Sequence, residues 1–153
     1  MTYEQLLDET YNNDIIVKEI EFESSSKGLI KGSKIAINGY IDTSTEKACI
    51  LAEELGHYHT SVGNILDQNK TENVKQEKRA RNWAYEKLVP LDGIISAYEA
   101  GVRNRYELAL YLDVIEVFLE EAIKHYKEKF GVYHVIGNYI IYFDPVGVFK
   151  MFE

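Results

Sequence analysis

AEELGHYHT, residues 52–60, decides how the middle of the chain is read. It stops one letter short of the metal-binding signature His-Glu-x-x-His, because the same register here runs Glu53-Glu54-Leu55-Gly56-His57. On a helix, Glu53 and His57 share a face with β-carbons about 6 Å apart, close enough to grip one ion. Glu54 lies about 100° further round. In His-Glu-x-x-His helices that offset sets the glutamate beside a metal-bound water, where it can take a proton. As a bare spacing the match is weak, and a structural helix with a surface pair of glutamates is the rival reading.

The flanks favour a helix. Thr43-Ser44-Thr45-Glu46 supplies a start, with Thr43 as cap and Glu46 as its capping-box partner, and the predicted helix runs to about Thr60. Upstream, residues 2–12 place Tyr3, Leu6, Leu7 and Tyr11 at helical spacing. DIIVKEIEF (14–22) and KIAINGYI (34–41) read as strands, with the polar tract 23–28 as a surface loop. Downstream, SVGNILDQNKT (61–71) is turn-rich, and a helix is expected over 72–89 before Pro90, burying Val74, Trp83, Ala84 and Leu88. Further helices are expected over 92–101, 104–113 and 114–131, Gly101 and Gly131 ending the first and last. VYHVI and YIIYF, separated by Gly137-Asn138, predict a hairpin, since those two residues accept the positive φ of a primed turn.

Composition bounds the function. At 153 residues and 46% apolar, the chain fits one domain able to bury about two thirds of its unfolded surface. The acidic start MTYEQLLDETYNNDII is unlike a secretion signal, and no apolar run approaches the roughly 20 residues needed to span a bilayer. Cys49 is the lone cysteine, which fits a reducing cytoplasm and rules out a thiolate zinc cage, so any metal is held by His, Asp or Glu. A net charge of −8 opposes general binding to nucleic acid. The local cations Lys75, Lys78, Arg79, Arg81 and Lys87 interleave with Glu72, Glu77 and Glu86 and read as a solvated, salt-bridged face.

The second informative stretch is KQEKRARNWAYEKLVP (75–90), whose Glu77 falls 20 positions after His57. With the first stretch it resembles the ImmA/IrrE family of metallopeptidases, which pair an HExxH helix with a downstream helix of pattern E-x-x-A-x-x-[F/W]-A-x-x-L-x-P. Glu77, Ala80, Trp83, Ala84 and Pro90 match that pattern, with one extra position before the proline; the resemblance is specific over about 35–92 and architectural elsewhere.

The resemblance implies a zincin-like α+β fold: a single domain over 1–153, mostly helical, with a metal-site core over about 35–92, a helical subdomain over about 92–131 and a C-terminal β-hairpin over about 132–143. It implies His57 and Glu77 as metal ligands and Glu54 as general base. The departure is Glu53, where the family has histidine. Carboxylate oxygen reaches zinc at about the imidazole distance, but two carboxylates neutralise the ion and lessen the preference for zinc over manganese, iron or magnesium. Glu53 as substitute ligand, a metal-poor degenerate site and an unrecognised ligand set all stay open. The implied reaction is intracellular hydrolysis of a peptide bond in a helix-turn-helix transcription repressor encoded nearby on a phage or mobile element. The alternative is a non-catalytic protein that sequesters such a repressor.

The other histidines are expected to be bystanders: His59 turned from the ligand face, His125 in a charged helix, His134 in a strand. Trp83 reads as core. ELALYLDVIEVFLEEAIKHY (107–126) is similar to a helix-turn-helix, yet Glu116, Glu120 and Glu121 would face phosphate in the first turns of the reading helix, so a helical subdomain for docking protein is preferred.

Overall fold

The computed structural model describes residues 1–61 and 70–152. The fold is α+β, predominantly helical with small sheets, and the chain divides into two compact units, Met1–Ala84 and Tyr85–Glu153. Most of the tract 61–71, read as turn-rich, lies outside the described residues.

The first unit starts with α1 (Tyr3–Asn12), capped by a reciprocal box: the Gln5 N–H donates to the Thr2 hydroxyl and the Thr2 N–H to the Gln5 side chain. Its buried face is Tyr3, Leu6 and Thr10; Tyr11, expected there, is 82% exposed. Three strands follow, β1 (Ile16–Ile20), β2 (Gly28–Lys31) and β3 (Lys34–Asn38), in the order β1-β3-β2. β3 runs parallel to β1 and antiparallel to β2. β2 escaped the sequence reading although its signal was present: Gly32-Ser33 between two apolar runs is a hairpin turn, and Gly32 has φ +61°.

α2 (Ser44–Thr60) and α1 cover one face of this sheet, over a core that includes Leu6, Ile35, Ile37 and Leu51. Thr43 caps α2 by accepting from the Glu46 N–H; the Glu46 carboxylate, expected to return the bond, accepts from Lys27 Nζ at 2.8 Å. α3 (Lys70–Leu88) buries Ala80 and Ala84 in the first unit, whereas Val74, assigned to its buried face, is 67% exposed.

In the second unit, α4 (Leu91–Glu99), α5 (Arg105–Leu112) and α6 (Glu116–Phe130) precede a sheet of β4 (Tyr133–Ile136), β5 (Tyr139–Phe143) and β6 (Val146–Lys150), antiparallel in that order. The hairpin forms around Gly137-Asn138; Gly137 has φ +56° and Asn138 is not among the positive-φ residues, as in a type II′ turn. β6 was not anticipated, since Pro145 and Gly147 break its local pattern and pairing with β5 creates it. α4 and α6 pack on this sheet, with Tyr126 and Ile141 buried at the centre. The Tyr126 hydroxyl donates to the Val89 carbonyl at 2.7 Å, serving an acceptor in the break between α3 and α4 that no helix bonds. Glu86 accepts from Lys129 and pairs with His125.

Candidate metal centre

The site begins at a bare-backbone crossing. Gly56 on α2 lies against Ala80 on α3 so closely that a β-carbon on Gly56 would stand 2.1 Å from the Ala80 carbonyl oxygen. His57 follows Gly56 directly, and Glu77 precedes Ala80 by one helical turn. The crossing therefore brings the two ends of the sequence pattern together: His57 Nε2 stands 3.2 Å from Glu77 Oε1. Beside them, His59 stacks on Trp83 with ring centroids 4.8 Å apart. Trp83, expected as core, is only partly buried and serves as the second tie between α2 and α3. His59 is exposed and turned from the pair, as its offset of two positions requires.

Two ligands about 2.1 Å from one tetrahedral zinc lie roughly 3.4 Å from each other. The 3.2 Å between His57 and Glu77 is compatible with that separation, and it is equally the length of a direct contact between imidazole and carboxylate. Glu53 sits one turn before His57 on the same helix. Among the described residues, however, no group of three or more His, Cys, Asp and Glu side chains is arranged to hold an ion. Arg81, absent from the expected site, reaches the Glu77 carboxylate at 4.0 Å. The pair has the i, i+4 spacing of the salt-bridged face expected for this helix.

Glu54 points toward the outer strand β2. A β-carbon on Gly28 would fall 2.8 Å from an Ile50 methyl and 3.1 Å from the Glu54 Oε1, so a side chain at this position would press on Ile50 and crowd that carboxyl. Burial, reinforced by the charges of Glu53 and Glu77, pushes the Glu54 carboxyl up to about 7. Glu54 thus lies against β2, the outer strand of the sheet among the described residues, on the same helix that carries His57 to Glu77.

The remaining histidines stand in other settings: His125 pairs with Glu86, and His134 stacks on Phe130. Cys49 is buried in α2. No helix among the described residues is long and apolar enough to cross a membrane. Residues 11–124 match the family model described as the IrrE N-terminal-like domain, a peptidase family. No curated protein and no solved structure matches the chain significantly.

Proposed function

The chain belongs to the IrrE N-terminal-like domain family, and from that membership we propose that it is an intracellular metal-dependent endopeptidase acting on a helix-turn-helix transcription repressor. The observation that carries the peptidase reading is the approach of His57 to Glu77 across two helices at 3.2 Å, with Glu54 desolvated beside them. The choice of a repressor as substrate, and of a phage or mobile element as its source, rests on the family resemblance of the sequence.

In this mechanism His57 and Glu77 would hold a divalent ion, zinc first and manganese or iron as alternatives, with Glu53 as third ligand. Such an ion supplies polarisation of the scissile carbonyl and acidification of the attacking water. Glu54 accepts the proton of that water and delivers it to the amine nitrogen that leaves. Its elevated value suits a base working near neutrality, and a cation nearby favours the ionised, proton-accepting form. Gly28 keeps β2 within reach of the Glu54 carboxylate, so an extended peptide paired to the outer edge of β2 would run past the proton acceptor.

A second reading, a non-catalytic protein that sequesters the repressor, is favoured by one observation: the set of three ligands is not assembled among the described residues. Co-expression with helix-turn-helix repressors encoded beside its gene separates the two. Glu54→Gln keeps the side chain's size and removes its ability to accept the proton. Fragments of the repressor should form with wild type and fall roughly 10²- to 10⁴-fold with the variant, metal content unchanged. Equal relief of repression by both, with the repressor intact, overturns the peptidase in favour of the sequestering protein.

A further inference from the structure

The sheet of the first unit has a second face. Strand alternation turns Ile35 and Ile37 toward the helices and sends Ile16, Ile20, Leu29 and Ala36 the other way. There Ile16 and Ile20 are each 50% exposed and Leu29 is 54% exposed. The same alternation sorts the charges: Lys18, Lys31 and Lys34 fall on the outer face, whereas Glu19 of β1 falls on the inner one, held by the Tyr3 hydroxyl and Lys47. Apart from Asn38, whose side chain bonds the Ser26 carbonyl, the outer face of the strands is therefore cationic and apolar on a chain whose net charge is −8.

We propose that this outer face docks an acidic amphipathic helix of a partner protein. Lys31 and Lys34 sit directly opposite each other across the β2–β3 pair, an arrangement of like charges that weakens the hairpin. Among the described residues Lys18, Lys31 and Lys34 make no ion pair or side-chain hydrogen bond that would offset it. An anion from outside offsets it instead. The face is also hollow, with a cavity of about 500 Å³ lined by residues that include Ile16, Ile20, Leu29 and the three lysines.

Shape and size select a helix. Sheet faces are covered by helices or other sheets, whereas added strands pair at edges. Three strands about 4.8 Å apart and about 16 Å long offer a trough matching roughly three turns of a helix about 10 Å wide. A planar bilayer does not fill a trough. The chain's overall negative charge does not prevent the contact, because repulsion from distant acids is screened beyond about 8 Å at physiological salt, leaving the three local lysines to decide. The proposal stands independently of the peptidase reading, since none of these residues belongs to the metal centre.

The probe is a dye-labelled amphipathic helical peptide with leucine along one face and glutamate on its flanks, beside a counterpart with lysine in place of glutamate. Both are titrated against the full chain by fluorescence anisotropy at physiological salt. The glutamate peptide should bind, and the lysine peptide on the order of tenfold more weakly or less. The double variant Lys31→Glu, Lys34→Glu should reverse that order. The single variant Lys31→Glu should weaken the glutamate peptide while melting at or above the wild-type temperature, because it replaces a like pair by an opposite one. That combination distinguishes a lost contact from a lost fold. Equal binding of the two peptides, binding of neither, or an order that survives charge reversal overturns the proposal. Two other outcomes also overturn it: attachment to phosphatidylserine vesicles that Lys31→Glu abolishes assigns the face to a membrane, and self-association that Lys31→Glu abolishes assigns it to a second copy.

Discussion

Gly56 and Ala80 touch through bare backbone, a hypothetical β-carbon on the glycine falling 2.1 Å from the alanine's carbonyl oxygen. No rotamer change relieves such a clash, because the obstructing atom belongs to the main chain of α3. Alanine in the middle of a helix ordinarily gains about 1 kcal/mol over glycine. Here the sign should invert: Gly56→Ala forces α2 and α3 apart and is expected to cost about 1–3 kcal/mol or more, read as a lower urea midpoint. The variant should also lose metal, since the same crossing sets His57 beside Glu77.

The ligand set is tested residue by residue. Protein purified without chelator should carry close to one divalent ion per chain, and His57→Ala should empty the site. Glu53→Ala should weaken zinc binding by at least the roughly 10- to 100-fold that outer partners of a metal site contribute, and Glu53→His should tighten it. Competition with a chromophoric chelator measures both. Unchanged affinity in Glu53→Ala would remove Glu53 from the set.

Tyr126→Phe isolates one hydrogen bond. The ring stays packed while the buried Val89 carbonyl loses its donor, so the expected cost is about 1–3 kcal/mol, measured by urea unfolding. A loss below about 0.5 kcal/mol would show that water replaces the hydroxyl.

Glu86 predicts a dependence on acid. Burial works to raise its carboxyl, but hydrogen bonds and charge from Lys129 and His125 outweigh it and hold the group below the usual carboxylate range. A carboxylate lowered in the folded state stabilises above its unfolded value, and the contribution fades as pH falls through the folded value. Wild type should therefore lose more stability than Glu86→Gln between neutral pH and pH 3. The carboxylate is 41% exposed, so the difference should stay below about 1 kcal/mol. Parallel melting curves across that range would show that the pairing contributes nothing.

Much of this was legible in the sequence because its causes are local. The Thr43 cap, the span of α2, the stop at Pro90 and the Gly137-Asn138 turn each follow from a few neighbouring residues. The meeting of His57 and Glu77 was expected only through the family resemblance of the two stretches that carry them, since nothing in either helix alone points to the other. What escaped depends on partners distant in sequence. β6 is made by β5, Trp83 is only partly buried and stacks on His59, and Val74 and Tyr11 are apolar residues at plausible helical spacing that are exposed. The role of Gly28 was invisible for the same reason, since a glycine announces nothing until the neighbour that would collide with its side chain is known.

The stack of His59 on Trp83 also gives the protein an optical reporter. Trp83 is the chain's single tryptophan, so emission excited selectively from indole originates at the contact between α2 and α3. Separation of the two helices, whether by Gly56→Ala or by denaturant, should then register as a change in brightness and wavelength of one fluorophore, next to the residues that matter and without a label.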